Sequence, residues 1–297
     1  AETHYEQQEK NPTEKKVSNM KKNSFDKVIE KYINYSVDDI EYLNEFYNNP
    51  SISMKDYYRW RTASMTCFNI HYLSFWRNPN NKDFEGVMDA FMMAYLAQIM
   101  YLFDTEKKFH QNLVVGVPLF LAVLSFGRER EIDLMFHAII SLISEQIKKR
   151  KPIYYHDKTL QEAFVLYDLY TNNKNHAIWQ PYITESLDCN YQKVMDIILS
   201  DNENEVNNAL AEMMKYHRKK AHIESFVTNE FYSTEWRVFP IEIIVLMRYR
   251  YLQGKSIDFI EHEVLSKFIP YLKKEKYTLS SKIEAAKMKI YKILSLS

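Results

Sequence analysis

Residues 83–103 read DFEGVMDAFMMAYLAQIMYLF, and this stretch decides the fold. Apolar side chains fall on nearly every side of a helix drawn through it. Such a helix lies either in the interior of a larger protein or in a membrane. Asp89 and Gln98 interrupt the apolar run, whereas a membrane span needs about 20 predominantly apolar residues. We therefore predict that this segment is the central helix of a helical core.

A second apolar segment covers residues 111–126. Its most apolar part, Leu113 to Phe126, is shorter than the ~20 residues of a membrane span. Pro118 lies within it, and proline is well tolerated in the first turn of a helix. We interpret the segment as a second core helix, with Pro118 near its start.

Helix signals continue in both directions. A stripe of Phe25, Val28, Ile29 and Tyr32 follows Ser24, and Ser36 with Asp39 has the spacing of a capping box. Asn78 to Asn81 reads as a turn, and Gly254 as a helix stop. The further helices are predicted at 53–76, 128–149, 158–171, 175–187, 190–199, 203–216, 236–252, 256–268 and 279–294.

The low glycine content also favours a helical protein. The chain has 4 glycines in 297 residues, against roughly 20 expected at ~7% usage. Tight strand turns and phosphate-binding loops need glycine at positive φ. We therefore predict an all-α protein, an irregular multi-helix bundle or helical array of about 11–14 helices.

The domain organisation is simple. Residues 1–23 are polar, and we expect a flexible or tag-like tail, with Met20 as a plausible native start. Residues 24–297 are predicted to form a single helical domain, with a sub-boundary near 150–158 as the alternative. We expect a cytoplasmic protein; a processed N-terminus would instead point to the periplasm.

The sequence contains no strong catalytic or metal motif. Gly254-Lys255-Ser256 resembles the end of a phosphate-binding loop, but Tyr249 stands where the motif needs glycine. Glu261-His262-Glu263 and the pair His217/His222 are the nearest approach to a metal cluster, and we interpret these histidines as solvated. We predict no catalytic residues, no cofactor and no metal site, and therefore no enzyme.

The two cysteines, Cys67 and Cys189, lie in apolar sequence. Free cysteine behaves as a small hydrophobic residue, so we expect two buried thiols. A single disulfide is the alternative.

Charge is balanced overall but not locally. The chain has 39 basic and 39 acidic residues, which gives no support to a dedicated nucleic-acid binder. Four acids without an intervening base are followed at once by a basic cluster: Asp201, Glu203, Glu205 and Glu212, then Lys215, Arg218, Lys219 and Lys220. One interpretation is a helix charged to match its dipole. The other is that the four acids bind a basic partner protein.

Several segments carry a resemblance to known proteins. They are Ala209-Leu210, Lys215 to Lys219, Phe239-Pro240-Ile241, Ile244 to Met247, Gly254 with Ile257, Arg59 to Ala63, and Ala90 to Tyr101. Together they resemble the immunity protein 49 family, helical bacterial proteins encoded beside polymorphic toxins, over residues 53–272. Tyr232 to Glu242 resembles a second helical immunity family, which protects against type VI secretion DNases.

The resemblance implies an inhibitor that binds one toxin and has no chemistry of its own. It supplies no catalytic residues, and no interface residue is carried over. We expect an immunity protein that neutralises a cognate, co-encoded bacterial toxin, with no nucleic acid, membrane or small molecule as partner. The alternatives are a helical adaptor, scaffold or regulatory protein, and an enzyme whose helical active site has no recognisable motif. A nucleic-acid-binding module would require the two basic runs, Lys148–Lys151 and Lys215–Lys220, to lie on the same face of the protein.

Overall fold

The computed structural model describes residues 24–104, 113–148, 158–183, 187, 189–221, 231 and 233–296. Within these ranges every regular element is a helix, which confirms the predicted all-α class. The helices are α1 (Ser24–Tyr32), α2 (Val37–Asn48), α3 (Tyr57–Arg77), α4 (Asn81–Phe103), α5 (Leu113–Phe126), α6 (Glu129–Lys148), α7 (Lys158–Thr171), α8 (His176–Trp179), α9 (Cys189–Ile197), α10 (Glu203–Ala221), α11 (Thr234–Val238), α12 (Ile241–Leu252), α13 (Ile269–Leu272) and α14 (Ser281–Ile293). The predicted tail, 1–23, and most of the predicted sub-boundary lie outside the described residues.

Helices α3 and α4 form the antiparallel pair at the centre of the protein and share the most extensive helix–helix contact described. The turn at 78–80 joins them. Asn80 caps α4, because its side-chain oxygen accepts the backbone N–H of Asp83 at 2.9 Å. The pair packs closely at Gly86, where a Cβ atom would collide with the imidazole of His71. A larger residue at position 86 would therefore push the two helices apart.

Helix α4 is the one described helix that is long and apolar enough to cross a membrane. In this structure, however, 83% of its most apolar window is buried by the rest of the chain. Its Asp89 is 3% exposed and accepts hydrogen bonds from the Tyr47 hydroxyl (3.1 Å) and the Ser280 backbone N–H (2.9 Å). A buried carboxylate needs such partners. The predicted central core helix is thus present, tied to α2 and to the start of α14.

The predicted position of Pro118 near a helix start is wrong, because Pro118 lies inside α5. Proline there removes one intrahelical hydrogen bond. Burial on all sides stabilises the helix despite this loss: Val117, Leu119, Phe120 and Leu121 are each 2% exposed or less. The prediction of a core helix at this segment holds.

Two predicted helices are shorter than the sequence pattern suggested. Of the helix expected at 175–187, the described residues contain α8, which ends at Trp179, and a 3₁₀ turn, Gln180–Tyr182, which contains Pro181. The helix expected at 236–252 is split into α11 and α12 at Phe239. Phe239 is extended (φ −110°, ψ 101°) because it precedes Pro240, and a residue before proline avoids the helical region.

The helix expected at 256–268 is largely absent. The segment is irregular up to a 3₁₀ turn, Leu265–Phe268, which leads into α13. Side chains within it accept hydrogen bonds from nearby backbone N–H groups. The Ser256 hydroxyl accepts from Asp258 (3.1 Å), and His262 Nδ1 accepts from Val264 (3.2 Å). Such local bonds compete with helix formation.

Candidate functional site

The four predicted partner-binding acids lie on the α9–α10 connection and on α10. Asp201 lies in the connection, Glu203 and Glu205 lie in the first turn of α10, and all three are exposed. Glu212 is exposed too, but it lies two turns farther on, about 10 Å from Glu205 at 1.5 Å per residue. Three of the four acids therefore lie within five residues of one another at the start of α10. We call residues 199–205 the acidic turn.

Arg250 of α12 holds the acidic turn from the inside. This arginine is 2% exposed, and its guanidinium donates to the backbone carbonyls of Ile198 (2.6 Å), Ser200 (2.8 Å) and Ser256 (2.7 Å). Burial lowers the pKa of Arg250, and the nearby carboxylates of Glu203 and Asp201 oppose that shift. Charge-assisted hydrogen bonds of this kind are stronger than neutral ones, so they fix the backbone of the turn.

The three acids of the turn differ in their ionic partners. Asp201 pairs with Lys255, and the hydrogen bond from that lysine holds the pKa of the carboxyl below its ordinary value. Glu203 and Glu205 form no ion pair with a lysine or arginine of the described residues. These two carboxylates are therefore the ones available to a basic partner.

Glu212 belongs to the basic half of α10. It pairs with Lys215, whose hydrogen bond lowers the pKa of the carboxyl. Lys219 is exposed one turn beyond, and Arg218 binds Glu263. The order of acids first and bases last matches the helix dipole at the two ends of α10, and Glu212 in the middle already has a basic partner on its own helix.

A cavity of about 370 Å³, which the sequence did not predict, opens between α4, α5, α6, α7, α12 and α14. Most of its wall is apolar: Met88, Phe91, Met92, Phe126, Ile132 and Leu279. The exposed Leu252 and Lys276 also line it and mark its side toward solvent. Residues from six helices that are distant in sequence meet here, and no local motif connects them.

The polar residues that line this cavity include Tyr170 and Arg248, together with Arg128, Glu275 and Lys276 at its exposed side. The Tyr170 hydroxyl is buried and has no hydrogen-bond partner among the described residues. Burial raises its pKa, although the charge of Arg248 opposes the shift. Arg248 is 3% exposed and donates to the carbonyls of Ser125 (3.2 Å), Leu272 (2.7 Å) and Glu275 (3.3 Å).

An ion pair between Lys287 and Glu131 also lines the cavity. Lys287 Nζ lies 3.2 Å from Glu131 and 2.9 Å from Glu284, and Lys287 and Glu131 are both nearly inaccessible to solvent. Glu131 also accepts the backbone N–H of Arg128 at 2.6 Å. This lysine is thus neutralised by the protein itself.

The histidines named in the sequence differ from the prediction. His217 is not solvated: it is 0% exposed, with Nδ1 2.6 Å from Glu242 and Nε2 3.0 Å from the Arg237 carbonyl. His262 is partly buried, which together with nearby Arg218 lowers its pKa. His222 lies outside the described residues. Across the described ranges, no group of three or more His, Cys, Asp or Glu side chains is placed to hold a metal ion.

Cys67 is a buried free thiol, as predicted. Burial raises its pKa to about 12, so the thiol is not activated as a nucleophile. The side chain of Cys189 lies outside the described residues.

Comparisons with protein-family models, with curated proteins and with solved structures found no match for this chain. The resemblance to the immunity protein 49 family therefore stays a prediction.

Proposed function

We propose that this protein acts by binding another protein, and that its partner is a cognate bacterial toxin that it neutralises without chemistry of its own. The acidic turn carries the proposal. Its backbone is fixed by the buried Arg250, and the exposed Glu203 and Glu205 form no ion pair with a lysine or arginine of the described residues.

The acidic turn has the properties of a preorganised contact surface. A loop that is already ordered loses less conformational freedom on binding. Asn202 also stabilises it by accepting the Glu205 backbone N–H at 3.3 Å. Leu199, 37% exposed, offers an apolar contact beside the carboxylates. Protein interfaces combine an apolar centre with a polar rim in this way.

The complementary partner presents lysine and arginine side chains. Opposite charges accelerate association, and the acceleration falls as salt screens the charges. We expect a stable complex with an interface of ~1,600 Å² or more, the usual size for specific complexes. Its association rate should fall as the salt concentration rises.

The proposal is tested by affinity capture from native cells at low and moderate salt, followed by mass spectrometry. We expect one stoichiometric partner that kills a bacterial host when expressed alone and is harmless when co-expressed with this chain. The double variant Glu203→Lys/Glu205→Lys should capture less of this partner. Asp38→Lys/Glu41→Lys, which makes the same charge change on exposed acids of α2, should retain it fully.

Two other results would overturn the proposal. Several partners in sub-stoichiometric amounts, none of them toxic, would favour a helical adaptor or scaffold. A correctly folded protein that captures no partner would direct attention to a small-molecule substrate.

A further inference from the structure

The cavity between α4, α5, α6, α7, α12 and α14 has the features of a ligand site. We infer that it binds a small amphipathic carboxylate, a molecule with an apolar body and one carboxylate group. This site is separate from the acidic turn, so the inference does not depend on the proposed toxin partner.

Tyr170 supplies the first polar contact. Tyr170 lines the cavity, and its hydroxyl oxygen is buried without a hydrogen-bond partner among the described residues. A buried hydroxyl without a partner is destabilising, and native structures contain few of them. A ligand oxygen in the cavity would accept this hydrogen bond.

Arg248 supplies the charge. A guanidinium has five N–H groups, and those of Arg248 make three hydrogen bonds, all to backbone carbonyls. N–H groups therefore remain for a ligand, and no carboxylate of the described residues pairs with this arginine. The aromatic rings of Tyr251 and Tyr277 lie 5.6 and 5.1 Å from the guanidinium carbon and hold its position.

The other buried cation of the cavity is already neutralised. Lys287 lies between Glu131 and Glu284, so it offers no net positive charge to a ligand. Of the two buried cations that line the cavity, Arg248 is the one without a carboxylate among the described residues, whereas Arg128 and Lys276 lie at the exposed side of the cavity. One such cation suits a ligand with a single negative charge, and a bidentate guanidinium contact suits a carboxylate.

The rest of the cavity suits an apolar body. Met88, Phe91, Met92 and Leu279 form its wall, and methionine side chains adapt to ligands of different shape. The volume of about 370 Å³ lies within the range of small-molecule sites. The exposed Leu252 provides an apolar entrance.

The test compares decanoate, decanol and decylamine, which share one chain and differ in the head group. Each is titrated into the full chain by calorimetry. We expect 1:1 binding of decanoate, about tenfold tighter than decanol, and no measurable binding of decylamine. Equal affinities for the three compounds, or no binding of any, would overturn the inference.

Three variants locate the binding. Tyr170→Phe should weaken decanoate about fivefold, because one hydrogen bond is lost, and should affect decanol less. Met92→Trp should abolish the binding of both by filling the cavity. Tyr42→Phe, which removes a hydroxyl outside the cavity, should change nothing. With helical content verified by circular dichroism, decanoate binding that survives Met92→Trp would refute this location.

Discussion

Nδ1 of His217 lies 2.6 Å from Oε1 of Glu242, and the two side chains are 0% and 1% exposed. Nε2 of the same ring lies 3.0 Å from the Arg237 carbonyl oxygen. A carbonyl only accepts, so Nε2 carries a proton and Nδ1 shares a second proton with the carboxyl group. The pair therefore connects α10 with α11 and α12 through buried hydrogen bonds, although Oε2 of Glu242 has no hydrogen-bond partner among the described residues.

Substitution of Glu242 should be strongly destabilising. Glu242→Ala leaves the imidazole without its partner, and breaking a buried pair costs about 3–5 kcal/mol of unfolding free energy. Glu242→Gln should cost less, because the amide can still donate to Nδ1. Urea unfolding at neutral pH measures both variants. Glu261→Ala, on an exposed acid, is the control and should change stability by less than about 0.5 kcal/mol.

The sequence predicted local structure better than it predicted long-range pairs. The capping box of Ser36 and Asp39 and the helix stop at Gly254 (φ +77°) are both present, since each depends on residues a few positions apart. His217 was misjudged because its partner, Glu242, lies 25 positions away on another helix. In the sequence, His217 lies among the basic residues at the end of a helix, a pattern that indicates exposure to solvent.

The candidate sites illustrate the same difference. The acidic turn could be predicted because its acids are neighbours in sequence, whereas nothing in the sequence indicates that Arg250 binds its backbone. The cavity could not be predicted, because Tyr170, Arg248 and Lys287 come together only through the packing of separate helices. Its polar groups look like ordinary helix residues in the sequence.

Charge reversal in the acidic turn should slow association with the partner protein. Glu203→Lys/Glu205→Lys replaces attraction by repulsion, and we expect an association rate about tenfold lower at low salt, with a smaller effect at high salt. Stopped-flow or surface-plasmon measurements over a salt series give the rates. Asp38→Lys/Glu41→Lys serves as the matched control. An association rate independent of salt and of the Glu203/Glu205 reversal would remove the acidic turn from the interface.

Substitution of Arg250 should loosen the acidic turn. Arg250→Met leaves the carbonyls of Ile198, Ser200 and Ser256 without their donor. We expect the free energy of unfolding to fall by about 2–4 kcal/mol. Arg250→Lys should not restore stability, because an ammonium group cannot reproduce the planar arrangement of donors. Amide hydrogen exchange in the acidic turn should increase. Arg77→Met, on an exposed arginine, should change neither quantity appreciably.

The α3–α4 turn should show a pH-dependent stability that depends on Asp83. Its carboxylate accepts hydrogen bonds from the Ser74 hydroxyl (2.6 Å) and the Asn80 amide (2.7 Å), and it lies 3.1 Å from Nδ1 of His71. Burial raises the pKa of Asp83, but these contacts outweigh burial and hold the pKa below its ordinary value.

A carboxyl group with a lowered pKa stabilises the folded state above its unfolded pKa of about 3.9, and that stabilisation disappears as the pH falls through the folded pKa. Asp83→Asn should therefore lower the free energy of unfolding by about 1 kcal/mol at neutral pH, the usual effect of losing a helix-cap interaction. The difference from the unmodified protein should narrow below about pH 4. Urea unfolding across this pH range measures it, with Asp38→Asn, on an exposed first-turn acid of α2, as the control. A stability difference that stays constant down to about pH 3 would show that the ionised carboxylate is not the stabilising form.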